Sequence, residues 1–160
     1  MTDVLIVIAV AALPIVELRG SIPLAIGILE MPPFEAALLS VLGNLIPIFL
    51  IYWFGNAWIK WTAQRQDLLH RITKRTLHRS RKAFDSKYRK YGMLALPLFV
   101  AIPLPMTGVV TGTLAAFLFG IPLRKSFPLL AIGVIIAGMI VTAMTTGALS
   151  FLDFLLVVPA

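Results

Sequence analysis

Two ionisable side chains, Glu17 and Arg19, stand in an otherwise uncharged stretch running from Val4 to Leu29. A charge deep in a bilayer costs about 2.5–3.5 kcal/mol on insertion scales, so such residues face protein or a water-filled cavity and mark functional sites by default. Apolar surroundings favour a protonated carboxyl, and a neighbouring guanidinium favours the carboxylate. Glu17 is therefore the candidate proton-coupling group. Arg19 stays charged and offers a planar fork of donors for phosphate or carboxylate, which makes it a candidate substrate contact. A bare cation would be drawn to Glu17 and repelled by Arg19. The plainer alternative is a mutual ion pair that only fixes the local fold.

A second constellation, Ile102 to Gly112, has no charge but carries Pro103, Pro105, Thr107, Gly108, Thr111 and Gly112. Broken backbone and threonine hydroxyls suit the lining of a binding site. The same Gly-x-x-x-Gly spacing also serves close helix packing. Asn44 puts an amide inside a third apolar stretch, as substrate contact or interhelical link. Pro14, Gly20 and Pro23 crowd the first charged site and predict a chain break there. No nucleophile–base pair, phosphate loop or metal-ligand set is visible, so neither catalysis nor a cofactor is expected.

The elements that must position these residues follow from composition. Of 160 residues 59% are hydrophobic and 13% charged, and there is no cysteine. Soluble domains carry about 25% charged residues. Uncharged runs of 24 (Ala36–Ile59), 33 (Tyr91–Leu123) and 27 residues (Ser126–Leu152) each exceed what a membrane span needs. This excludes a soluble globular fold and a disulfide-rich secreted domain. The net charge of +7 is concentrated, with eleven of fourteen Lys and Arg between Lys60 and Lys90. That block reads as a cytoplasmic loop able to contact anionic lipid head groups, not as a nucleic-acid site. Asp3 and the absence of Lys or Arg before Val4 argue against a cleaved signal peptide.

The chain divides into two parallel series: an interrupted apolar segment (4–29), a span (36–59), a basic segment (60–92), a second interrupted segment (93–121) and a second span (127–151). Corresponding interrupted segments in two halves point to a transporter site. The predicted fold is all-α and integral to the membrane. It has two inverted halves, each a re-entrant helical hairpin plus a transmembrane helix, joined by a basic amphipathic cytoplasmic helix. That topology puts both termini outside and every Lys and Arg except Arg19 inside. Four full spans are the alternative, and they would leave Arg124 and Lys125 outside.

The stretch Pro14-Ile-Val-Glu17-Leu-Arg19-Gly20-Ser-Ile-Pro23, together with Phe99-Val-Ala-Ile-Pro103-Leu-Pro105-Met-Thr107-Gly108-Val-Val-Thr111-Gly112, resembles the signatures of the prokaryotic small multidrug export family. The resemblance implies an exporter in the cytoplasmic membrane. More distantly, the layout is similar to the DedA/VTT superfamily, whose second hairpin usually carries an arginine that Pro103–Gly112 lacks. The leading expectation is a small secondary transporter, coupled to protons through Glu17, with a midplane site between the two hairpin tips and a homodimeric assembly. A lipid-phosphate flippase or scramblase using Arg19, and a non-transporting scaffold acting through the basic segment, are the alternatives. The small-molecule or lipid substrate is not legible.

Overall fold

The computed structural model describes residues 2–64, 72–78, 86–102 and 108–157. Among them are seven helices: α1 (Thr2–Ala12), α2 (Glu17–Gly27), α3 (Pro33–Ala63), α4 (72–78), α5 (Ser86–Ala101), α6 (Val109–Leu118) and α7 (Leu123–Val157). Both α3 and α7 contain stretches long and apolar enough to cross a bilayer, Pro33–Ala63 and Leu123–Ser150. Only a third of each most apolar stretch is buried, which is unlike the core helix of a soluble protein. Large apolar side chains lie open on their surfaces, among them Trp53, Trp58, Ile132 and Met144.

Contacts group the chain into two units. The first is Met1–Ile46 with Val134–Ala160, and the second is Pro47–Gly133. In the first, α1 ends two residues before Pro14, and residues 13–16 turn the chain into α2. The two helices pack on each other. Each has 11 residues, about 16 Å, half the thickness of a hydrocarbon core. After α2, Glu30 adopts a left-handed backbone (φ 52°), and the Met31 N–H donates to the Ala25 carbonyl at 2.9 Å. Pro33 then opens α3, where its fixed φ suits the first helical position and its missing N–H costs nothing. Val7, Ala25 and Ala36, one from each helix, form a fully buried cluster with Leu24, Leu29, Met31 and Leu39 around it. At Gly43, α3 meets the α1 backbone: a Cβ there would stand 2.6 Å from the Ile8 oxygen.

The second unit repeats this plan. α5 packs on α6. Gly120 takes the left-handed turn (φ 74°), and the Ile121 N–H donates to the Ala116 carbonyl at 2.9 Å. Pro122 leads into α7. Gly133 meets α5, where a Cβ would lie 2.8 Å from the Pro97 oxygen. The buried positions agree along both long helices at a displacement of ninety residues: Ala36 and Ser126, Ser40 and Leu130, Gly43 and Gly133, Asn44 and Val134, Pro47 and Ala137, Ile48 and Gly138. The preceding helices agree at a displacement of ninety-one, with Leu18, Ser21, Ile22 and Ala25 answered by Val109, Gly112, Thr113 and Ala116.

Several boundaries differ from expectation. The first long helix covers 33–63 and not 36–59, because the Trp- and Lys-bearing stretch after Ile59 continues the helix. The second starts at Leu123, before residue 127, with Pro128 inside it. Residues 86–92, expected in the basic segment, begin α5. Gly20 and Pro23, expected at the chain break, lie inside α2; the turn falls at 13–16 and includes Pro14. Pro23 has no N–H for an intrahelical bond, a loss that packed neighbours tolerate in membrane helices. Of the basic segment, only 60–64, 72–78 and 86–92 are described.

Candidate functional site

The first unit holds a ladder of buried polar groups. On α2 the buried face is Glu17, Leu18, Ser21, Ile22 and Ala25; on α3 it begins Ala36, Ser40, Gly43, Asn44. Residues four apart share one face of a helix. Glu17, Ser21 and Ala25 thus form one file, and Ala36, Ser40 and Asn44 another. The two files share a base, since Ala25 and Ala36 belong to one cluster. The chain runs down α2 to this base and away from it along α3. Ser21 and Ser40 therefore stand about one turn from the base, and Glu17 and Asn44 about two turns, near 12 Å, from it.

These groups are withdrawn from solvent. Glu17 is 7% exposed, Asn44 1%, and Ser21 and Ser40 are fully buried. The Ser21 Oγ, Ser40 Oγ and Asn44 Oδ1 atoms have no hydrogen-bond partner, and neither has Thr142 Oγ1 in the same unit. Hydroxyls in membrane helices usually turn back to a carbonyl three or four residues earlier. Thr62, Thr111, Thr113, Thr145, Thr146 and Ser150 all do so here. Ser21 and Ser40 do not, and an unpaired buried hydroxyl costs about 1–3 kcal/mol.

Glu17 also carries backbone strain. Its φ is +51°, a region that costs a non-glycine residue of order 1 kcal/mol or more and persists only where the surroundings enforce it. The enforcement is visible: the Glu17 N–H donates to the Leu13 carbonyl at 3.0 Å, closing the turn from α1. Gly20 completes it, because a side chain there would collide with Val16 Cγ1. As the first residue of α2, Glu17 places its carboxyl at the positive end of the helix dipole. Arg19 is half-buried within α2 and not in an extended tip.

Of the other sequence-derived candidates, Asn44 joins the ladder. Gly108, Thr111 and Gly112 belong to the second unit. Gly108 precedes α6, and the Thr111 hydroxyl donates to its carbonyl at 3.1 Å. Gly112 is a packing position, where a Cβ would sit 2.8 Å from Val100 Cγ2. Pro103, Pro105 and Thr107 lie outside the described residues. Sequence reading missed Ser21 and Ser40. The signal was their four-residue spacing from Glu17 and Asn44 inside apolar runs.

At the positions that answer them in the repeat the polar ladder is gone: Ser21, Ser40 and Asn44 are matched by Gly112, Leu130 and Val134. The second unit instead fixes Tyr52, whose hydroxyl donates to the Ile121 carbonyl at 2.7 Å and lies 2.8 Å from Ser126 Oγ. Beside it opens a cleft of about 730 Å³ lined by Phe49, Trp53, Asn56 and Lys60 among others.

Residues 17–140 match the family described as "Putative small multi-drug export protein". No curated protein and no solved structure matches the chain. The match begins at Glu17, takes in all of α3 and the first half of α7, and covers most of the sequence. The chain belongs to this small multi-drug export family and is a membrane protein.

Proposed function

We propose that this protein is a small secondary exporter of the prokaryotic cytoplasmic membrane, with Glu17 exchanging a proton for the exported small molecule. One observation carries the reading: a carboxyl, 7% exposed, held in a left-handed backbone at the start of α2. Strain of this kind survives where a residue is needed in one place. In this mechanism Glu17 binds a proton from one side of the membrane and gives it up to the other as the hairpin environment alternates. Arg19 is the charge partner of Glu17 or touches an anionic part of the cargo.

The half-span lengths of α1 and α2 support re-entrant arms, and the repeated burial plan supports two halves of inverted orientation. Both termini would then face outward and the basic segment inward, against anionic lipid. Two spanning helices per chain leave little material to enclose a path, so the working form is a homodimer.

The test is ethidium efflux from cells expressing the intact protein or Glu17→Gln. The reading requires efflux that collapses with an uncoupler and falls to background in E17Q. Efflux indifferent to both would refute it.

A further inference from the structure

The unpaired oxygens of the first unit point to a ligand. Ser21 Oγ, Ser40 Oγ and Asn44 Oδ1 are each withdrawn from water and none has a partner. Buried polar atoms are almost always satisfied, by protein or by a bound species. Neither serine makes the usual back-bond to a helix carbonyl, whereas Thr145 and Thr146 in the same unit do and Thr142, outside the two files, does not. The asymmetry of the repeat adds a second argument. The positions that answer them in the repeat, Gly112, Leu130 and Val134, keep the burial and drop every side-chain oxygen. The packing scheme therefore does not need polar atoms there, and their presence in one half of the repeat is specific.

The donor set identifies the class of ligand. Asn44 Oδ1 only accepts, and each serine hydroxyl has lone pairs to offer. Three neutral side-chain oxygens on two files that share the Ala25–Ala36 base, with Glu17 in the same file as Ser21, suit a small cation shedding its water. An anion is disfavoured, since Asn44 Oδ1 is an acceptor only and has no proton to give it. We propose that Ser21, Ser40 and Asn44 form the coupling-ion site, binding a small monovalent cation, Na⁺ or H₃O⁺, through oxygen ligands beside Glu17. This rests on the exporter reading and extends it by giving the ion a site of its own. Among the described side chains of this unit the charged groups are Asp3 on α1, Glu17 and Arg19 on α2, Glu30 in the link and Glu35 on α3. Asp3, Glu30 and Glu35 are exposed.

The experiment uses the purified full chain in detergent and follows thermal unfolding by tryptophan fluorescence. Sodium chloride is titrated against choline chloride at constant ionic strength, and the series is repeated across pH. An ion that binds only the folded state raises Tm with concentration. The wild type is expected to gain stability with Na⁺, or, if the ion is H₃O⁺, with falling pH and not with Na⁺. In Ser21→Ala/Ser40→Ala the midpoint of that response should weaken about tenfold or more, the equivalent of one lost hydrogen-bond-scale contact. The double variant should fold at least as well as wild type without ion, because it removes unpaired hydroxyls from an apolar interior. Thr145→Ala, whose hydroxyl is already bonded to Val141, should leave the response unchanged. Identical ion responses in wild type and S21A/S40A would overturn the site, even if E17Q still abolished efflux. A wild-type response that S21A/S40A weakens, with no export in any assay, would instead overturn the exporter reading and leave the site standing.

Discussion

Gly43 and Gly133 stand ninety residues apart and perform the same task, each letting its long helix rest on the backbone of a shorter helix earlier in its own unit. A Cβ at Gly43 would lie 2.6 Å from the Ile8 oxygen, and one at Gly133 would lie 2.8 Å from the Pro97 oxygen. Neither obstacle is a flexible side chain. Gly43→Ala and Gly133→Ala should each therefore destabilise the protein by about 1–3 kcal/mol, the range for overpacking a filled interface. Gly147 is an interior helical position with nothing within 4 Å of where a methyl would stand. It should respond in the opposite sense, gaining up to about 1 kcal/mol as alanine. Thermal melts of the three variants in one detergent decide the matter; equal behaviour would mean the close approaches are absent.

The strain at Glu17 separates backbone from carboxyl. Glycine adopts a positive φ without penalty. Glu17→Gly relieves that strain and should lose export, whereas Glu17→Asp should retain some export with the strain unrelieved. If E17G exported normally, the carboxyl would have no part in the function.

Tyr52 ties α3 to the start of α7 within the second unit. Tyr52→Phe removes a hydroxyl bonded to the Ile121 carbonyl and to Ser126, and should cost about 1 kcal/mol or somewhat more. Ser126→Ala should cost less, since Tyr52 keeps its bond to Ile121. The comparison is read in urea or thermal unfolding, and a larger loss in S126A than in Y52F would contradict the bonding scheme.

The absence of cysteine allows topology to be read directly. Ser126 is fully buried and would react poorly, so exposed Arg124 is the better site, with Thr2 and Lys74 as companions. In intact cells an impermeant thiol reagent should label a cysteine at 2 and spare those at 74 and 124. Labelling at 124 from outside would replace the re-entrant arms with full spans.

Much of the fold was legible in the sequence because lipid solvent permits only a few solutions. Uncharged runs marked α3 and α7, and the charged interruption at Glu17 and Arg19 marked the region where α1 gives way to α2. The helix ends were less legible. Lys60 and Trp61 suit a membrane interface and do not stop a helix, so α3 runs past the last apolar residue. Gly20 and Pro23 looked like breakers, yet Gly20 is needed for contact with Val16 inside α2. The repeat is faint in residue identity because what recurs is size at contact points, as at Gly43 and Gly133. Within the candidate site, Glu17 and Asn44 announced themselves as polar residues in apolar runs. Ser21 and Ser40 did not, since a lone serine usually bonds to its own helix.

The central claim is that Glu17 moves a proton in exchange for cargo. The most direct measurement places the full-length protein in liposomes with a pH-reporting dye inside, adds ethidium on one side and records the internal pH. Wild type should shift the internal pH on ethidium addition, and Glu17→Gln should not, although both are inserted and folded. Equal pH shifts from wild type and E17Q would contradict the account.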